Sequence, residues 1–301
     1  MKIGIIAVMF VLTFTCIISI TEESMFTMKP SGIIKVPENY PTIQEAINAA
    51  NPGDTVFVSP GIYNENLIIY KDNLTLLGEN PKTTIIDTLF IGEGVFIVAS
   101  NVHVSGFTIR HAHYGIHLYS AHNITLVQNI IANNTEYGVY IDFSSHCIVK
   151  RNSIVNNWQG IFLWHSNNNT FYHNNFVDNT IQVYAEASNN MWDNGCEGNF
   201  WSDYNGTDFN SDGVGDTYLP WQEVDNYPLM NLYWNPADIN HDLRVDMKDV
   251  GRAARAFASY PGHPSWNPHA DITGEKTLVP DGKVDMRDIA YIAKRFGESA
   301  S

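Results

Sequence analysis

The chain has 301 residues, with 17 Lys and Arg against 32 Asp and Glu and a formal net charge of −15. No Lys or Arg occurs between Arg151 and Arg244. That balance excludes a nucleic-acid partner, which needs a basic footprint, and sets acidic side chains in Gly- and Asn-rich loops of the kind that hold cations.

Residues 3–20 form an apolar run behind Lys2. The run reads as a secretory signal over 1–22. A retained membrane anchor is the alternative, because the run is nearly long enough to span a bilayer. Either way the protein is expected outside the cytoplasm, secreted or on the cell surface. Cys16 falls inside this segment. Five Asn-x-Ser/Thr triplets, at Asn73, Asn123, Asn133, Asn168 and Asn205, agree with export. The alternative is that Asn- and Thr-rich repeats generate such triplets by chance. Cys147 and Cys196 are about two repeats apart, too far to pair, and Cys147 is expected as a buried thiol.

An N-terminal capping helix is predicted next. Thr42 and Glu45 form a capping box, and Ile43, Ala46, Ile47 and Ala50 share one face. Asn51-Pro52-Gly53 ends the helix. The helix would cover the open end of a stack of repeats. Strands are expected at 55–58, 67–70, 74–77 and 84–86.

The centre of the chain repeats. GVFIV starts at Gly94, GIHLY at Gly115, GVYID at Gly138 and GIFLW at Gly160. Phe107, Asn129, Asn152 and Asn175 recur in phase, as do Asn133, Asn156 and Asn179. Such a period signals a solenoid. Each unit holds three short alternating scraps, such as Ile124/Leu126, Ile130/Ile131 and Val139/Ile141, separated by Asn-rich bends. Three strands and three bends per turn make a right-handed parallel β-helix, expected over 31–232. Its inward row would be Val95/Ile97, Ile116/Leu118, Val139/Ile141, Ile161/Leu163 and Ile181/Val183.

The outward row would be Phe96/Val98, His117/Tyr119, Tyr140/Asp142, Phe162/Trp164 and Gln182/Tyr184. An aromatic stripe of this kind suits sugar rings, whose C–H faces stack on Tyr and Trp. Tyr119, Tyr140, Asp142, Phe162, Trp164 and Tyr184 are the candidate contacts to a polysaccharide or other glycan. The alternative is side chains that simply stack turn on turn. No catalytic residue is evident. Asp142 lies near His117, and Asp142 and Glu186 are about two turns apart, a weak arrangement for glycoside hydrolysis.

Two regions carry calcium-type spacing. In TDFNSDGVGDTYL at 207–219, Asp208, Asn210 and Asp212 alternate, Gly213 makes the turn, and the Val214 carbonyl and Asp216 come after it. Alternate oxygens about a tight turn suit a hard cation. Leu219 stands where a closing acid belongs, so a ligand from elsewhere is needed. A polar turn is the alternative. Near the end of the chain, RVDMKDVGRAARAF at 244–257 repeats as KVDMRDIAYIAKRF at 283–296. The first copy offers Asp238, Asn240, Asp242, the Arg244 carbonyl, Asp246 and Asp249. The second offers Asp271, Thr273, Asp281, the Lys283 carbonyl, Asp285 and Asp288, interrupted by an insertion. Two short helices are expected, packing Phe257 against Phe296 in a small all-α domain over 233–301. So small a core is marginal, and bound Ca²⁺ would supply what it lacks.

The opening PTIQEAINAANPGDTVFVSPGIYNENLII and the ending GNFWSDYNGTDFNSDGVGDTYLPW resemble those of pectin-lyase-like β-helix proteins. The nearest likeness is to the NosD-type and carbohydrate-binding/sugar-hydrolysis repeat proteins, common among archaeal secreted proteins. The resemblance implies glycan binding, or polysaccharide lyase or glycosyl hydrolase activity if the protein is an enzyme. It also implies a rival role in copper delivery, and a non-catalytic structural surface protein is the third reading. Eight histidines lie between 103 and 173, His111 and His113 being the close pair. The alternative for these is His replacing Asn at bends, as His146 does against Asn123 and Asn169. The duplicated tail resembles a type I dockerin with paired F-hand motifs, which implies a cohesin-like protein partner. It departs from that pattern at Leu243, where Gly is expected, and at Met247-Lys248 and Met286-Arg287. A calcium-stabilised spacer is the alternative.

Overall fold

The short alternating scraps fold as strands of two to six residues, and no turn of them buries its own apolar row. The structure, a computed structural model, describes residues 31–210, 212–240, 244–273 and 281–299. The N-terminal segment 1–22 and Asp242 lie outside the described residues. Among the described residues, twenty strands fall into three sheets of seven, six and seven strands, and every strand pairs parallel with its neighbours. The chain visits the sheets in rotation, which makes it a parallel β-helix. The first sheet runs from Ile33–Val36 to Thr170–Tyr172, the second from Gly61–Tyr63 to Phe200–Trp201, and the third from Leu67–Ile69 to Ile181–Glu186. The strands at Ile33–Val36 and Gly61–Tyr63 were not anticipated.

The core is the stack of inward rows, and it includes Ile97, Leu118, Ile141 and Leu163, all fully buried. Val183 and Ala185 continue this row in register, because Ile161 pairs with Val183 and Leu163 with Ala185; Val183 is buried and Ala185 is exposed. The expected pair Ile181/Val183 is therefore one step early, and Ile181 is exposed. Gln182 does not face outward as expected either. It lies next to Gly160, in the file of Gly94, Gly115, Gly138 and Gly160, where each glycine's missing Cβ would strike the carbonyl of the next turn.

Buried asparagines hold the bends. Each accepts from a main-chain N–H one turn back and donates across the stack. Asn129, Asn152, Asn174 and Asn199 form one ladder. Asn134, Asn157 and Asn179 form another. The sequence markers had mixed two kinds of position. Asn175 belongs to a strand, while Asn133 and Asn156 share a left-handed bend with Asp178. The turns differ by one residue in length, so constant spacing drifts off the ladder. His146 occupies the left-handed bend of Asn123 and Asn168, not Asn169. His111, His165 and His173 also take φ near 50°, so half of the central histidines stand at such bends.

At the N-terminal end lies helix α1 (Ile43–Ala49), with Thr42 accepting from the Glu45 N–H. Ile43, Ala46 and Ile47 are buried in the common core. The Gln44 carboxamide accepts from Ile68 N at 2.7 Å and donates to Ile68 O at 3.1 Å, occupying the edge of the third sheet. At the other end Trp201 stacks between Phe176, at 4.2 Å, and Trp221, at 4.1 Å.

The tail holds helices α2 (Met247–Ala256) and α3 (Met286–Lys294). Its core is built from residues such as Ile239, Val245, Ala253, Ala256, Val284 and Ile292. The expected Phe-on-Phe contact is absent: Phe257 and Phe296 are 47% and 54% exposed. Both lie beyond the last helical turn, where the chain leaves the shared face. Asn175 clamps the start of the tail, accepting from Tyr233 N and donating to Tyr233 O.

Candidate functional site

The third sheet presents one continuous aromatic face. Its register places His117, Tyr140, Phe162 and Tyr184 in one file, with Phe96 before them. Ring centroids along this file are 4.9, 4.5, 5.1 and 5.6 Å apart. The spacing comes from parallel pairing, since side chains in register stand one strand spacing apart. A second file holds Tyr119, Asp142, Trp164 and Glu186. A third begins with Tyr114 and Tyr137, stacked at 5.1 Å, and Tyr137 also contacts Phe162 and Trp158.

All six sequence candidates lie on this face. Tyr119 and Tyr184 are exposed, while Tyr140, Phe162 and Trp164 are half-buried. Asp142 differs: it points outward but is buried, lying in register between Tyr119 and Trp164. Sequence reasoning missed Tyr114, Tyr137 and Trp158. The signal was the Tyr-Gly pair repeated at 114–115 and 137–138, which starting each unit at Gly cut in two.

Burial pushes the Asp142 carboxyl above the ordinary carboxylate range, against the pull of His117, the Tyr140 hydroxyl and His165. Burial, with Asp142 beside it, pushes Tyr140 up to about 12. His117 is stacked flat on Tyr140 and holds Glu93 through Nδ1 at 3.1 Å. His117 Nε2 and Asp142 Oδ1 are buried and have no hydrogen-bond partner among the described residues. None of the six strands carries Lys or Arg. The face can stack apolar ring surfaces and exchange a few hydrogen bonds. It has no cation on its strands to neutralise an anionic sugar.

The calcium-type loops place their acids on their own backbone. Asp208 accepts from Gly213 N at 2.9 Å, Asn210 from Asp212 N, Asp212 from Val214 N and Asp216 from Phe209 N. In the tail the two copies match in detail. Asp246 and Asp285 cap α2 and α3. Asp249 accepts from Ile239 N and Asp246 N, and Asp288 from Ile272 N, Thr273 N and Asp285 N. Asp238 accepts from Trp234 Nε1, and Asp271 from Gly282 N. Arg287 reaches Asp281 and Asp285. Arg244 and Lys283, expected to ligate through their carbonyls, are exposed. The donors are all hard oxygens of the type calcium takes. Among the described residues, no three His, Cys, Asp or Glu side chains converge as they would on one ion. Cys147 and Cys196 are both free, and burial pushes the Cys147 thiol up to about 11.

The family described as periplasmic copper-binding protein (NosD) matches residues 47–206. A probable ABC transporter binding protein NosD from Stutzerimonas stutzeri is 35% identical over 120 residues, covering 38% of this chain. The chain spans only 26% of that relative's length. Among solved structures, an alginate lyase from Paenibacillus is 15% identical, with 54% of this chain and 67% of that one covered and a TM-score of 0.39. A pectin methylesterase from Yersinia enterocolitica is 17% identical, with 50% and 61% covered and a TM-score of 0.33.

Proposed function

The chain belongs to the NosD family, and from that footing we propose that it is an exported β-helix protein that binds uncharged glycan chains along its third sheet. The observation that carries this reading is the unbroken ring file from Phe96 to Tyr184, flanked by Tyr119 and Trp164. Its length suits an extended saccharide. His117 Nε2 within the file and Asp142 Oδ1 beside it, which have no hydrogen-bond partner among the described residues, suit hydroxyl groups or an intervening water. Affinity electrophoresis of the full chain on a panel of neutral and acidic polysaccharides tests the reading. Retardation by a neutral polysaccharide that Trp164→Ala and Tyr184→Ala weaken supports it. Binding unchanged in both variants removes the aromatic face as the site.

The tail completes the proposal as a calcium-dependent, dockerin-like tether for a cohesin-like partner on the cell surface. Its support is the matched pair of capped helices, each preceded by Asp and Asn or Thr oxygens. The loop at Asp208–Asp216 would hold a further Ca²⁺ with a ligand from outside the loop. Calorimetric titration of the full chain with Ca²⁺, repeated on Asp285→Ala, tests this: no heat of binding at millimolar Ca²⁺ ends it.

A second reading comes from the family description, that the chain handles copper. Titration of the full chain with Cu²⁺ separates it from the first. Micromolar uptake that His117→Gln abolishes would move the function of the third sheet from sugar to metal.

A further inference from the structure

The asparagines of this fold divide into two classes. The ladder asparagines are buried and spend their amides on the stack. Among the described residues, no buried asparagine begins an Asn-x-Ser/Thr triplet. All five triplets begin at exposed asparagines, Asn73, Asn123, Asn133, Asn168 and Asn205. The residue two positions after an asparagine of the first ladder is a core residue, Ile131, Ile154, Phe176 or Trp201, so a triplet does not fit there and falls to exposed positions.

Three of the five stand in one file. Asn73, Asn123 and Asn168 take φ of 58°, 55° and 58° at the bend leading into the first sheet. Asn101 and His146 hold the same bend in the intervening turns and begin no triplet. The threonines give the same register: along the first sheet the order is Thr75, His103, Thr125, Ile148, Thr170. The triplets therefore fall on alternate turns. At a strand spacing of about 4.8 Å, acceptors two turns apart are separated by roughly 9–10 Å. Saccharides on every turn would collide, whereas every second turn leaves room for one chain. Bends of this kind project the side chain away from the strands. The Asn123 amide makes a single exposed bond, to Asn101 Oδ1 at 3.1 Å.

We propose that Asn73, Asn123 and Asn168 are N-glycosylated, so that one corner of the β-helix carries a single file of oligosaccharides. Each transfer joins Nδ2 to the anomeric carbon of a polyprenyl-phosphate-linked oligosaccharide. The C–N bond forms and the C–O bond to phosphate breaks. The phosphate leaves with the electron pair, and the amide gives up one proton to the transferase. Donor and transferase belong to the exporting cell.

The test is glycopeptide mass spectrometry on the full chain recovered from outside a cell that exports it and N-glycosylates exported proteins. A consensus triplet appended to the C-terminus serves as an internal acceptor. The expected result is a saccharide mass on each of the three peptides. Asn123→Gln and Thr125→Val should each remove one glycan and leave the other two. Thr125→Val keeps the asparagine and its bend, so it separates loss of the acceptor motif from loss of fold. Bare peptides at all three positions, with the appended triplet modified, would overturn the proposal. So would modification confined to Asn133 and Asn205.

Discussion

Gly138 lies against Gly160 so closely that a Cβ on it would stand 2.7 Å from the Gly160 carbonyl oxygen and 2.9 Å from Asn157 Nδ2. Neither neighbour can yield, since one is backbone and the other a fully bonded ladder amide. Gly138→Ala should destabilise the β-helix by about 1–3 kcal/mol, the usual cost of overpacking. Gly251→Ala is the control, because nothing lies within 4 Å of a Cβ there. Chemical denaturation followed by circular dichroism measures both. Equal midpoints would show that the glycine file is not a packing constraint.

The ladders should be as sensitive as the core. Asn152 accepts from Asn129 N and donates to Leu126 O, Lys150 O and Asn174 Oδ1. Asn152→Ala leaves buried groups unmatched, at about 1–3 kcal/mol each. Asn133→Gly, at an exposed left-handed bend, should cost little. Unfolding midpoints of the two variants, compared directly, should differ by several kcal/mol of stability. A ladder variant as stable as the bend variant would contradict the arrangement.

Asp225 closes the first ladder, accepting from Asn199 N, Trp201 Nε1 and Tyr227 N. Burial pushes its carboxyl up to about 6 despite those bonds. A folded value above the unfolded one means its contribution is present below about pH 4 and lost as the pH rises through 6. A shift of this size is worth about 3 kcal/mol. Asp225→Asn cannot titrate. Its stability deficit against the parent chain should therefore shrink by roughly that amount between pH 4 and pH 7. A deficit independent of pH would show that Asp225 titrates normally.

For the aromatic face, Trp164→Ala should weaken glycan affinity about tenfold, a loss of about 1.4 kcal/mol. Tyr184→Ala should behave alike. Asp142→Asn keeps the shape and the hydrogen-bonding capacity, so it should bind nearly as well as the parent chain. Loss of all binding in Asp142→Asn would instead mark the carboxyl as indispensable. Isothermal titration with the polysaccharide that binds best reads all three.

For the tail, Ca²⁺ at about 100 times its dissociation constant should add about 2.7 kcal/mol to tail stability. Scanning calorimetry with and without chelator measures this as a shift of one transition. Asp288→Ala, which strips the acceptor from Ile272 N, Thr273 N and Asp285 N, should unfold the tail even in Ca²⁺. A tail transition unmoved by chelator would leave calcium no role in holding it.

The repeat was legible because a parallel β-helix writes itself into local order. Gly94, Gly115, Gly138 and Gly160 recur because each must admit the carbonyl of the next turn. The Thr42 half of the expected capping box was legible for the same reason, since it links residues three apart. What local order cannot show is which neighbour a side chain meets one turn away. One residue more or less per turn moved the ladder from Asn175 to Asn174, and the pairing across turns placed the inward pair at Val183/Ala185, two residues beyond Ile181/Val183. It also joined Tyr114 and Tyr137 to the aromatic face and buried Asp142 between Tyr119 and Trp164. Phe257 and Phe296 failed as core residues because helical periodicity gives a direction only while the helix lasts. Period and winding are written in neighbouring residues and could be read along the chain. Register between turns came only with the fold, because it is fixed by hydrogen bonds between residues about 22 positions apart.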